Sequence, residues 1–124
     1  MEEPNRFQKL VLAAKEKIKE ISPNDAAREL ESGNATLIDV RADADWKAGH
    51  ARDAKHLERG EIELEIEEQI PDLDQPIICY CGGGSRSALV TESLQKMGYR
   101  NVRSMKGGFR GWKAAGLPTT NLSS

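Results

Sequence analysis

A thiol followed by three glycines and an arginine is the part of this chain equipped for chemistry: Cys81-Gly82-Gly83-Gly84-Ser85-Arg86. Successive backbone N–H groups in a glycine-rich turn converge on one point and form an anion nest. A helix that starts at the arginine adds its positive N-terminal end. The Arg86 guanidinium adds a full charge and a planar fork of donors. A thiol held there loses its proton below its free pKa of about 8.5, and the same donors hold an anionic substrate against the sulfur. The chemistry expected is covalent, with Cys81 as the nucleophile and Gly82, Gly83, Gly84, Ser85 and Arg86 as substrate-binding residues. A cation at a helix N-terminus opposes the dipole, so Arg86 calls for an anion nearby. Cys79 has no nest around it and reads as core filler, and Ser87 reads as a helix N-terminal hydrogen-bonder rather than a catalyst.

The elements that must position this loop follow from periodicity. Ile77 to Tyr80 is a buried strand running into the cysteine, and Arg86 to Met97 is a helix with Val90, Leu94 and Met97 inward and Gly98 as its stop. Ahead of them, Phe7, Leu10, Val11, Ala14 and Ile18 give residues 5–20 an amphipathic helical spacing. Ile21 is a very short strand, and Ser22-Pro23-Asn24-Asp25 caps and starts a helix that Gly33 ends. Thr36 to Val40 is a strand, Asp45 to Ala48 a helical turn, and Ala54 to Leu57 another short strand. Residues 61–67 alternate as a strand does, while Ile62, Ile66 and Ile70 recur at four; an extended start with a short helix over 65–70 is expected. Asn101 to Met105 is the last strand, and Phe109 to Ala115 the last helix. Strands alternating with helices argue an α/β domain with a mainly parallel sheet. Ligands bind beyond the carboxyl ends of such strands, which is where Cys81 falls.

Composition narrows the function. The 124 residues fit one domain, with an N-terminal helix over 1–20, a domain over 21–118 and a loose tail over 119–124. A net charge of −2 gives no global field for nucleic acid or an anionic membrane. No apolar run approaches a membrane span and the acidic N-terminus lacks a signal-peptide core, so a cytoplasmic setting is expected. Cys79 and Cys81, at i and i+2 on a strand, would have Cα atoms roughly 6.5–7 Å apart, which disfavours a structural disulfide. Two cysteines with the dispersed His50 and His56 do not match zinc spacing, so no metal is expected. Asp39 and Arg41 read as a brace at the sheet end, His50 as a hydrogen-bonded structural residue, and Glu58 to Glu68 as a solvated face.

An ordered series of segments resembles the single-domain rhodaneses, a sulfurtransferase family. It comprises Asp39-Val40-Arg41; Trp46 to Gly49-His50; Ala54 to Leu57 with Arg59-Gly60; the loop Cys81 to Arg86; Gly98-Tyr99 with Val102; and Gly107-Gly108 with Trp112, Gly116 and Pro118. Two departures are Ala51, where an aliphatic residue is usual, and Asp53, where glycine is frequent. The resemblance implies a five-stranded sheet in the order 1-5-4-2-3 with helices on both faces. It implies a donor such as thiosulfate, a Cys81 persulfide, and transfer to cyanide or a thiol, a protein thiol included, with no cofactor. Cysteine phosphatases and arsenate reductases use the same logic, but five residues separate cysteine from arginine in the phosphatase loop, whereas Gly82 to Ser85 is four. A rhodanese-like binding or regulatory module is the third reading; such modules commonly lack the cysteine or the loop arginine that this chain has.

Overall fold

The computed structural model describes residues 3–121. Its centre is a parallel sheet of β1 (Lys19–Ile21), β2 (Thr36–Asp39), a two-residue strand (Lys55–His56), and two further strands, Ile77–Tyr80 and Val102–Met105. Numbering strands along the chain, His50–Ala51 is β3, Lys55–His56 β4, Ile77–Tyr80 β5, Val102–Met105 β6 and Thr119–Thr120 β7. The sheet order is β1-β6-β5-β2-β4, which is first, fifth, fourth, second, third among the sheet's own strands, as expected. All of its pairings are parallel, with Ile38 beside Cys79 and Cys79 beside Ser104.

Strand period 2 sorts β5 between two cores. Ile77, Cys79 and Cys81 face one layer, with Ile62, Ile66, Val90 and Leu94 from helices α4 (Ile62–Gln69) and α5 (Ser85–Lys96). Ile78 and Tyr80 face the other, with Ala26 of α2 (Pro23–Glu31) and Phe109 and Trp112 of α6 (Gly108–Ala114). The i, i+2 spacing therefore aims both thiols at α5. Both cysteines are free.

Several boundaries differ from the sequence reading. Helix α1 (Arg6–Lys17) is closed at its start by a reciprocal capping box between Asn5 and Gln8, and stops before Ile18 because Lys19–Ile21 pairs with β6. Only Val11 and Ala14 of its apolar stripe are buried; Phe7 and Leu10 are exposed. Residues 62–69 are helical throughout, with no extended start: Ile62 and Ile66 are buried while Leu64, which a strand would place on their side, is 84% exposed. The short helix before Gly49 begins earlier, at Asp43 (α3, Asp43–Ala48). Thr119 and Thr120, read as the start of a loose tail, pair antiparallel with Ala51 and His50. The remainder of that tail, residues 122–124, lies outside the described residues. Asp53 takes φ 68°, the left-handed region that glycine enters most easily and Asp tolerates better than most residues. No described helix is long and apolar enough to cross a membrane.

Candidate active site

Cys81 follows the last residue of β5, and the chain turns at once so that α5 starts beneath it. Gly84 is the N-cap residue of α5 and Ser87 its third residue. Gly84 N–H donates to Cys81 Sγ at 3.1 Å and Ser87 N–H at 3.4 Å. These are helix N-terminal donors without partners inside the helix, and the sulfur takes their bonds. The Ser87 hydroxyl lies 3.5 Å from Sγ and donates to it once the sulfur is a thiolate. That hydroxyl is itself 2.8 Å from Ser104 Oγ on β6, and both serines are fully buried. Burial pushes the Cys81 thiol up, but the Ser87 hydroxyl and the N–H groups of Ser87, Gly83 and Gly84 outweigh it, leaving the pKa below the ordinary thiol value. Cys79, fully buried, is pushed up to about 12 by desolvation, with Thr91 partly offsetting it.

Helix α6 holds the loop in this orientation. Phe109 N–H donates to Cys81 O at 2.7 Å and Arg110 N–H to Gly82 O at 3.2 Å. With those carbonyls drawn toward α6, the loop's following N–H groups turn toward the sulfur. The approach is close enough that a Cβ on Gly108, at φ 55°, would collide with Cys81 O and Gly82 O. Gly84 sits at φ 100°, which places its N–H under Sγ, and a Cβ there would lie 3.4 Å from Gly107 N. Gly82 is different: a Cβ there meets nothing within 4 Å, so steric need for glycine at three successive positions is not observed.

The loop opens into a cavity of about 260 Å³ lined by Arg41, Asp45, Gly82, Arg86, Phe109, Arg110 and Lys113. Arg86 reaches this mouth with its side chain exposed rather than packed against the sulfur. Ser85, expected in the same site, lines a different groove with Pro4, Gln8, Val11 and Leu12. Arg41 is held by Asp39 through Nε at 3.1 Å and Nη2 at 2.8 Å, and by Gly49 O at 2.6 Å, so the expected brace is present. Its guanidinium lies 4.3 Å from the Phe109 ring centroid. His50 Nδ1 is 2.9 Å from Trp46 O and its ring stacks on Trp46, the hydrogen-bonded structural role expected. Among the described residues no cluster of His, Cys, Asp and Glu is arranged to hold a metal.

Sequence reasoning found the loop but missed Ser104, Arg110 and Lys113, and underrated Ser87. Ser104 did carry a signal, as a hydroxyl inside an otherwise strand-like run. Arg110 and Lys113 carried none, since each is an ordinary cation of a short helix until the fold brings α6 over the loop.

The geometry is that of a thiol with a lowered pKa in a cradle of amide and hydroxyl donors, beneath a cationic mouth. The family model for rhodanese-like domains matches residues 22–115. The thiosulfate sulfurtransferase GlpE of Haemophilus influenzae is 41% identical over 100 residues, covering 81% of this chain and 92% of that protein. The protein of the same name from Actinobacillus pleuropneumoniae is 36% identical over 99 residues, covering 80% and 90%. Among solved structures, the polysulfide-sulfur transferase homodimer of Wolinella succinogenes superposes with a TM-score of 0.80 at 33% identity, covering 93% of this chain and 87% of that one. A Rhodopseudomonas palustris protein of unknown function, described as a possible tyrosine phosphatase, superposes with a TM-score of 0.84 at 26% identity, covering 97% and 99%. The chain belongs to the rhodanese-like domain family.

Proposed function

We propose that this sulfurtransferase carries sulfur on Cys81, taking it from thiosulfate or a persulfide and passing it to a thiophilic acceptor such as cyanide or a thiol. The observation that carries the reading is the set of donors on Cys81 Sγ, two backbone N–H groups and the Ser87 hydroxyl. The thiolate attacks the outer sulfur of the donor, a sulfur–sulfur bond forms, and the donor's sulfur–sulfur bond breaks with its electron pair on the leaving group. For thiosulfate that group is sulfite. The persulfide left on Cys81 is again an anion, and loop N–H groups stabilise it as they would an oxyanion. Attack by cyanide or by an acceptor thiolate on the terminal sulfur returns the Cys81 thiolate, so Cys81 neither gains nor loses a proton over the cycle. The N–H groups of Gly83, Gly84 and Ser87 supply the cradle, and Arg86 supplies the loop's own cation at the mouth. No metal or organic cofactor enters these steps, and a reducing, cytoplasmic setting suits a free thiolate.

The phosphatase reading is weaker because four residues separate Cys81 from Arg86, a cradle suited to one sulfur rather than a tetrahedral phosphate. Steady-state kinetics with thiosulfate and cyanide test the proposal. Parallel double-reciprocal lines are expected from double displacement, with no turnover by Cys81→Ser. Turnover by Cys81→Ser, or intersecting lines requiring both substrates bound together, would contradict it.

A further inference from the structure

We infer that Arg110 and Lys113, on α6, bind the charge of the donor's leaving group and make the site selective for donors whose leaving group is a dianion. The inference rests on the sulfurtransferase reading of Cys81.

The donors around Sγ hold one atom. A sulfur donor brings a second, charged part that must lie outward, in the cavity between α5, α6 and α3. The charges lining that cavity can be sorted by what already satisfies them. Arg41 is engaged by the buried Asp39 carboxylate and by Gly49 O. Asp45 is the single carboxylate of the lining. Arg86 makes no ion pair among the described residues, and neither do Arg110 or Lys113. Arg110 Nε donates to Gly82 O at 3.2 Å, and Lys113 Nζ lies 4.9 Å from the Phe109 ring centroid. Three cations without counter-ions thus face one carboxylate, in a chain of net charge −2.

Two of the three cations come from α6, at i and i+3, and so project from one side of that helix. Arg110 is laid across the loop itself: a Cβ at position 83 would collide with its Nη2. The loop has no charged residue from Gly82 to Ser85. Glycine at 83 leaves that space open, and α6 fills it with a guanidinium.

The reaction makes use of charge at this place. Thiolate and thiosulfate become persulfide and sulfite; the sulfane sulfur moves to Cys81, and the electron pair of the broken bond leaves with sulfite. Negative charge accumulates on the outward group as the bond breaks. Cations at the mouth therefore act more strongly on the transition state than on the bound donor. Their exposure makes the effect sensitive to salt.

The test compares thiosulfate, whose leaving group is the sulfite dianion, with benzenethiosulfonate, whose leaving group is the benzenesulfinate monoanion, using cyanide as acceptor. Wild type, the double variant Arg110→Ala/Lys113→Ala, and the charge-keeping Arg110→Lys/Lys113→Arg are assayed at low and high ionic strength. The alanine pair is expected to lose about tenfold in kcat/KM for thiosulfate and roughly threefold or less for benzenethiosulfonate, with a flatter salt dependence for thiosulfate. The charge-keeping pair is expected to retain the preference. Equal losses on both donors, or no loss on thiosulfate, overturn the inference while wild-type turnover leaves the Cys81 reading intact. A wild type that turns over neither donor, and gains no sulfur from either, defeats that reading and this inference with it. An unchanged unfolding midpoint confirms that both variants fold.

Discussion

At Cys81 two opposing effects act on one sulfur: burial favours the neutral thiol, and the hydroxyl and amide donors favour the anion. The donors prevail, so the ionised fraction at neutral pH depends on a few hydrogen bonds. A hydrogen bond to a charged group contributes about 1.5–3 kcal/mol. Ser87→Ala is therefore expected to raise the Cys81 pKa, read from the pH dependence of alkylation. Ser104→Ala, which frees the Ser87 hydroxyl to rotate, should shift it the same way by less. An unchanged titration in Ser87→Ala would refute the role given to the hydroxyl. The sign for stability follows: with the folded pKa lowered, the thiolate's contribution is full above the unfolded thiol's pKa and is lost as pH falls through the folded one. Cys79, fully buried and pushed up to about 12, should stay unalkylated in the native protein at neutral pH. The cradled cysteine and its loop were legible in the sequence because glycine spacing and one arginine announce a nest. Ser87 was read as a helix N-terminal residue, which it is, but its hydroxyl's direction depends on β6, and no local pattern encodes that.

Helix α6 carries more of the site than its seven residues suggest. Its first N–H groups fix the loop carbonyls, Arg110 covers Gly83, and Phe109 underlies Arg41. Gly108→Ala should displace the loop through the collision with Cys81 O and Gly82 O. The expected result is a rise in the Cys81 pKa and loss of most sulfur transfer; unchanged values for both would show that the loop holds itself. At the sheet end, Asp39→Ala leaves Arg41 buried and unpaired, and is expected to cost about 3–5 kcal/mol in urea unfolding. Glycine and proline signals located most elements within a few residues. The α4 segment misled because Ile-Glu-Leu-Glu-Ile satisfies period 2 and period 4 alike; only packing exposes Leu64 and decides it. The β3–β7 pair was invisible because two-residue strands carry no periodicity.

The whole molecule is a two-faced parallel sheet with one helix added. Residues 22–115 match the family, and α1 lies outside that match, packed on α5 through Val11 and Ala14 with a Lys17–Glu92 ion pair at 3.6 Å. We propose that α1 supports the domain without taking part in transfer. A chain lacking residues 1–17 should unfold at a midpoint lower by roughly 5 °C or more yet still form the persulfide. Loss of the persulfide in a folded truncation would place α1 in the reaction. The strand order was legible because the matched segments occur in sequence, whereas the charge of the mouth required three helices to be brought together. The central claim is that sulfur rides on Cys81, and intact-protein mass after thiosulfate treatment tests it most directly, for wild type, Cys81→Ser and Cys79→Ala. A gain of one sulfur atom in wild type and Cys79→Ala, and none in Cys81→Ser, is the predicted result. A gain in Cys81→Ser, or none in wild type with Cys81 shown to be reduced, would contradict it.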